Sequence, residues 1–236
     1  MSAQYYVSPE QLMKDRADFA RKGIARGRAV IVASCFDGIA LIAENPSGSL
    51  HKIGEIYDRI AFAAVGKYNE FESLRQAGVR YADTRGYSYS RFDVTGRGLA
   101  SVYAQSLGAV FTAEAKPFEV ELAVLEIGES PEDDTLFSLN FDGSIAEQPG
   151  HIIMGGDTPA LRESWNGYWA GKDLNAAGID EVIRAAALVL PGVGESPEDA
   201  RLLEVAMLER VTSTGSHRHF RRLDTPTIAR ILGSRK

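Results

Sequence analysis

Two apolar runs meeting at Asp37-Gly38 constrain this chain more than any other feature. Ala29 to Phe36 is rich in valine and isoleucine, and Ile39 to Ala43 resumes the pattern directly after the Asp-Gly pair. That arrangement is a strong short-range signal for a β-hairpin. A second, less regular pair follows around Leu50 to Ile53 and Arg59 to Val65. The turn at Gly66 then leads into a helix on which Phe71, Leu74 and Gly78 share a face. Ahead of the first hairpin, Ser8, Pro9 and Gln11 read as N-cap, first helical residue and third position of a capping box. Gly23 is the expected stop of that helix, which gives it residues 8–22 behind a short tail, residues 1–7.

Thr95 to Thr112 is the most periodic helix, with Leu99, Val102, Tyr103, Leu107 and Val110 on one stripe and Gly98, Ala100 and Ala104 small enough for close packing. Phe118, Val120, Leu122 and Val124 then alternate with Glu119 and Glu121 as a strand. The segment TLFSLNFDGSI adds another around Asp142-Gly143, and HIIMGG a short buried one. Thr158-Pro159 caps a helix, Glu181 to Leu190 forms a second with Val182, Ile183, Ala186 and Leu190 inward, LLEVAMLER and HRHFRRL return to strand, and Thr225-Pro226 opens a terminal helix. Antiparallel strands in runs and helices in pairs predict an α+β protein: two sheets stacked face to face between helical layers, αββα, and not a doubly wound sheet. No linker or shift of composition divides the 236 residues, so a single domain spanning 1–236 is expected.

Charge and cysteine count narrow the function classes. A net charge of -6 lacks the basic excess of a nucleic-acid binder. One cysteine, Cys35, forms neither an internal disulfide nor a zinc cluster, which fits a reducing, cytoplasmic setting. The N-terminal residues form no apolar leader and no run reaches membrane-spanning length, so neither export nor membrane insertion is expected. Among the histidines, His51, His151, His217 and His219, only the last two are close; as a pair they lack a third ligand, and no metal site is expected. Met154-Gly155-Gly156-Asp157-Thr158-Pro159 reads as a capped turn more readily than an anion cradle, since it lacks the P-loop lysine and the G-x-G-x-x-G spacing. Gly66-Lys67-Tyr68 is no Walker motif, no serine sits in G-x-S-x-G, and Cys35 in its apolar strand reads as a structural thiol. The hexapeptide GESPED occurs at Gly128 to Asp133 and Gly194 to Asp199; both copies read as exposed acidic turns. Spacing alone yields no active site and no cofactor.

Order and spacing carry more than any single motif. The N-terminal helix, GRAVIVASCFDGIALIAENPSGSLHKI, DRIAFAAVGKYNEFESLRQAG, DVTGRGLASVYAQSLGAVFT and HIIMGGDT together resemble the α-subunits of the proteasome core particle, closest to the actinobacterial type. The resemblance covers nearly the whole chain, strongest from Pro9 to Gly128. It implies the αββα sandwich of the N-terminal-nucleophile hydrolases. Catalytic members of that superfamily expose an N-terminal nucleophile whose own amine is the base. The matching position here falls near Arg28, in mid-chain, with Glu44 and His51 or Lys52 near the places of the supporting carboxylate and lysine, so the resemblance implies a non-catalytic subunit.

It further implies a heptameric ring of identical α-subunits that caps β-subunit rings and admits unfolded proteins through an axial gate built from the N-terminal tails. Tyr5, Tyr6 and Val7 are the gate residues on this reading. Lys52, with Asp18 and Gly66, matches a pocket that receives the C-terminal carboxylate of an activating AAA ATPase; energy-independent activators are a further class of partner. Two rivals stand beside this reading: a catalytic member of the superfamily, with Ser34 or Cys35 exposed by cleavage, and a purely structural ring protein.

Overall fold

The structure, a computed structural model, describes residues 8–212 and 217–234. Helix α1 (Pro9–Ala25) is followed by strands β1 (Val30–Cys35), β2 (Gly38–Glu44), β3 (Ile53–Tyr57) and β4 (Ile60–Gly66). Helices α2 (Tyr68–Ser88) and α3 (Gly96–Ala113) come next, then strands β5 (Val120–Glu126), β6 (Thr135–Leu139), β7 (Ile145–Glu147) and β8 (His151–Met154). Helices α4 (Thr158–Trp169) and α5 (Ile179–Val189), strands β9 (Leu203–Glu209) and β10 (Phe220–Arg222), and helix α6 (Thr225–Gly233) complete the order. The strands form two five-stranded sheets, β10-β9-β2-β1-β8 and β3-β4-β5-β6-β7, in which every pairing is antiparallel.

The layers follow from the two-residue period of a strand. Val30 and Val32 of β1, Ile39, Leu41 and Ala43 of β2, and Ala61, Ala63 and Val65 of β4 pack together between the sheets. The alternate residues Ile31, Ala33 and Cys35, with Ala40 and Ile42, face outward onto α4, α5 and α6. On the other side Ile60, Phe62 and Ala64 meet Phe71 and Leu74 of α2 and Leu99, Tyr103 and Leu107 of α3. Strands buried on both faces need apolar residues at every position, which is why these segments read as unbroken apolar runs. The expected αββα sandwich is the observed one. Among the described residues no helix is long and apolar enough to cross a membrane.

Several boundaries differ from expectation. Helix α1 runs past Gly23 to Ala25 and is capped by Arg26; Gly23 is instead where the Glu119 side chain lies against the helix, leaving no room for a Cβ. Ser8 does accept from the Gln11 N–H (3.2 Å), but the Gln11 side chain turns forward to Asp15 (2.7 Å), so only half of a capping box forms. The first hairpin turns at Phe36-Asp37, with Gly38 already paired to Cys35. Leu50 is exposed ahead of the third strand, which begins at Ile53. Asp157, not Thr158, caps α4 by accepting from the Ala160 N–H (3.3 Å). Each copy of GESPED folds into a short 3-10 turn led by its serine, over Pro131–Asp133 and at the start of Pro197–Leu202. Tyr5, Tyr6 and Val7 lie outside the described residues.

One charge network ties the sheets together at the turn end of the first hairpin. The Arg210 guanidinium, just past β9, makes two bonds to the fully buried Asp134 carboxylate (2.8 and 3.0 Å) and donates to the carbonyls of Cys35 (3.0 Å) and Gly128 (3.1 Å). Asp134 also accepts from the Ser34 hydroxyl (2.6 Å) and the Gly128 N–H (2.8 Å). Removing one partner from such a pair leaves a desolvated charge uncompensated, at a cost of about 3 kcal/mol or more. Asp134→Ala is therefore expected to lower the urea-unfolding free energy by about that amount, and a loss below about 1 kcal/mol would mean that solvent replaces the carboxylate.

Candidate functional site

Lys52 sits one residue ahead of β3, and the chain there is held from two sides. Its backbone N–H donates to Glu204 Oε2 on β9 (2.9 Å), and its carbonyl accepts from the Ala64 N–H on β4 (3.0 Å). Glu204 is only 7% exposed, and it gathers donors accordingly. It accepts from the Ile53 N–H (3.3 Å) and Asn45 Nδ2 (2.8 Å), lies 3.2 Å from His51 Nδ1 and pairs with Arg222. With the main chain fixed, the half-buried Lys52 side chain reaches back to the segment just ahead of β1, and its Nζ donates to the Arg28 carbonyl (2.6 Å). The half-exposed Arg28 guanidinium pairs with Glu44 at the end of β2 (2.5 Å). Burial pushes the Lys52 ammonium down to about 8; the nearby Arg28 charge lowers it further, while Glu44 and Glu204 oppose the fall.

Gly66 belongs to the same neighbourhood. It ends β4 with φ +110°, and a Cβ there would overlap the Glu119 carbonyl oxygen. It also passes so close to Gly27 that a Cβ on Gly27 would stand 3.3 Å from the Gly66 nitrogen. From the other side Gly156 N–H donates to the Gly27 carbonyl (3.0 Å), and a Cβ on Gly155 would lie 3.2 Å from the Arg28 oxygen that holds Lys52. Residues 27 and 28 are thus the junction where β3, β4 and the turn before α4 converge, and Lys52 and Gly66 flank it. Asp18 stands apart from that junction in its contacts: it pairs with Arg21 one turn along α1 (3.2 Å). Arg21 in turn lines a separate cavity of about 420 Å³ with Ile24, Phe141, Gly155 and Glu121.

The remaining candidates are accounted for structurally. Cys35 is buried, its Sγ lies 3.1 Å from the Gly38 oxygen, and burial pushes its thiol up to about 11. Ser34 is buried and donates its proton to Asp134. His219 Nδ1 meets the Glu209 carbonyl (2.6 Å), and among the described residues no group of three or more His, Cys, Asp and Glu side chains is arranged to hold a metal. The Gly155-Gly156 turn spends its amides internally, on Gly27 and on the Glu121 carboxylate. Burial pushes the Glu121 carboxyl up to about 7, against the opposing pull of the Gly155 N–H and of Arg162.

Sequence reasoning missed the centre of the Lys52 cluster. Glu204 is 152 residues from Lys52, and its only trace in the sequence is a charge inside LLEVAMLE, where every neighbouring position is apolar enough for a core strand. A buried carboxylate in such a run demands partners from elsewhere. Asn45 and Arg222 carry no such trace.

Comparison with known proteins finds close relatives along nearly the whole length. The chain is 64% identical over 234 residues to the "Proteasome subunit alpha" of Arthrobacter sp. (strain FB24), with 98% of each chain covered. It is likewise 64% identical over 234 residues to the protein of that name from Paenarthrobacter aurescens (strain TC1), again with 98% of each covered. The counterpart in Kineococcus radiotolerans is 55% identical over 236 residues, with 98% of each covered. No family model matches the chain.

Glu121, in the separate cavity beside Arg21, supplies a test of how burial acts on a carboxyl here. Its folded pKa lies above the unfolded value near 4.5, so between about 4.5 and 7 the folded state holds a proton that the unfolded state has lost. Stability contributed by that proton is complete below the lower value and falls as pH rises through 7. Glu121→Gln is expected to flatten the fall in urea-unfolding free energy between pH 5 and 8 and to be the more stable form at pH 8. An unchanged slope would place the carboxyl in an ordinary, hydrated setting.

Proposed function

The chain belongs to the proteasome α-subunit family, and on that premise we propose that it is a non-catalytic subunit of the core particle. Seven copies form an outer ring over the β-subunit rings, gate the entry of unfolded proteins, and dock an AAA ATPase or an energy-independent activator. The chain acts in the cytoplasm as one unit, residues 1–236, with residues 1–7 as the gating tail. It uses no cofactor.

The absence of catalysis is supported by the chemistry that the fold's enzymes require: a hydroxyl or thiol on a residue with a free α-amine. By the resemblance the matching place falls near Arg28, in mid-chain, where there is no free α-amine and Arg28 itself carries no hydroxyl or thiol. Ser34 and Cys35, the two candidates for exposure by cleavage, lie inside β1, the first bonded to Asp134 and the second raised to about 11 by burial. Cleavage before either would remove the strand at the centre of its sheet's β2-β1-β8 run.

The observation that carries the docking role is the Lys52 amine, anchored by one hydrogen bond to Arg28 and otherwise free to meet an incoming carboxylate. A partly desolvated cation orients a chain-terminal carboxylate better than a hydrated one does. Gly66 and Asp18 enter the docking site on the resemblance alone: Gly66 closes the junction against the Glu119 carbonyl, and Asp18 lies on α1 paired with Arg21.

Lys52→Ala is expected to leave ring assembly with the β-subunit intact, as read by native mass, and to abolish stimulation of peptide hydrolysis by the cognate ATPase. Undiminished stimulation would remove Lys52 from the docking site. Deletion of residues 2–7 is expected to raise hydrolysis of small peptides by the assembled particle without any activator. Hydrolysis that stays at the level of the intact chain would assign the gate to another segment.

A further inference from the structure

One carboxylate of the sandwich stands where an apolar residue belongs. On β5, Ala123 and Leu125 face the opposite sheet and sit in the core between the two, and Glu121 is the preceding position on that same face. Its carboxylate accepts from the Gly155 N–H and, among the described residues, forms no ion pair. A carboxylate drawn into a core position on a single backbone amide is short of partners.

Glu121 lines a cavity of about 190 Å³ at the edge of the sandwich, where β8 passes between β5 and α4. The sheets contribute acceptors to it. Besides Glu121 there is Gln148, whose Nε2 donates to Ser138 Oγ (3.1 Å), which leaves its amide oxygen to accept. Helix α4 contributes donors: Arg162 and Asn166, one turn apart and exposed, whose side chains make no hydrogen bond or ion pair among the described residues. The Arg162 charge acts on Glu121 through space, yet the two do not pair. His151 also lines the cavity, its ring set against Trp165 (5.9 Å between centroids). Burial and the Arg162 charge hold His151 below its ordinary value, so at pH 8 it adds no charge of its own. The cavity thus holds one anion and one cation that are apart from each other.

We infer that this cavity is a binding site for small free amino acids: the ligand's ammonium group meets the Glu121 carboxylate and the Gln148 amide oxygen, and its carboxylate meets the Arg162 guanidinium and the Asn166 amide. A simple anion would be opposed by Glu121 and a simple cation by Arg162. A molecule carrying both charges answers both walls, with charge-assisted hydrogen bonds at each end. The volume, room for about six waters, suits an amino acid with a small side chain.

The test uses the full-length chain at pH 8, where the Glu121 carboxyl is ionised in the main. Saturation-transfer NMR follows titrations with glycine, L-alanine and L-serine, and with propionate and ethylamine, each of which keeps one of alanine's two charged ends. At least one of the three amino acids is expected to saturate below about 20 mM, and propionate and ethylamine to bind at least tenfold more weakly. Glu121→Gln, close to isosteric, and Arg162→Gln, at an exposed position, are each expected to weaken amino-acid binding about tenfold. Arg97→Gln, an exposed arginine on α3, is expected to leave it unchanged, which separates the site from a general effect of net charge. Failure of all three amino acids to saturate, propionate binding as tightly as alanine, or undiminished binding by the folded Glu121→Gln chain would each overturn the assignment. The comparison of alanine with propionate and ethylamine needs no variant, and since no β-subunit or ATPase takes part, its outcome is independent of the docking role of Lys52.

Discussion

Glu204 is the interaction on which the candidate site depends. A carboxylate inside a strand whose other positions are apolar is tolerated only if every lone pair is occupied, and the donors come from segments far apart in sequence: Asn45, the amides of Lys52 and Ile53, and Arg222. Glu204 and Arg222 belong to one sheet, and the two amides open β3 in the other. The carboxylate therefore fixes where the second sheet begins relative to the first. The position of Lys52, and through it the reach of its amine to Arg28, is set by a residue that never touches the amine by hydrogen bond.

The same cluster governs how that amine behaves. Burial and Arg28 favour the neutral form, Glu44 and Glu204 the charged one, and the balance falls near neutral pH instead of far above it. Close backbone approaches make this possible. Gly27 and Gly66 let two chains run nearly in contact, and Gly155 lets a third reach the Arg28 carbonyl. Larger residues at these places would push the three segments apart and hydrate the amine.

Much of the architecture was legible in the sequence because it follows from periodicity. The alternation of Val30, Val32 against Ile31, Ala33, and the stripe Leu99, Tyr103, Leu107, assign layers without any knowledge of distant contacts. The errors fell where local signals compete with tertiary ones. Gly23 looks like a helix stop until Glu119 is seen to need the space, and Thr158 looks like a cap although Asp157, one residue earlier, is the better acceptor. Leu50 suggested an early strand, yet the strand starts at Ile53, where Glu204 supplies the first amide partners. Of the candidate pocket, Lys52 and Gly66 converge on one junction, but that convergence was implied only by resemblance. No spacing in the chain announces that residues 28, 44, 52 and 204 meet.

The charged clusters at the two ends of β9 have a joint mechanical consequence. Glu204 near its start and Arg210 just beyond its end each bond across to the opposite sheet, the first to β3 and the second to Asp134 ahead of β6. The intervening strand spans about 20 Å. It works as a tie rod with a bolt at each end, so the sheets resist sliding past one another along its direction. A subunit braced in this way transmits a push at one edge to the other without internal shear, and whatever moves in an assembly of such subunits moves as whole blocks or as the segments outside the sandwich.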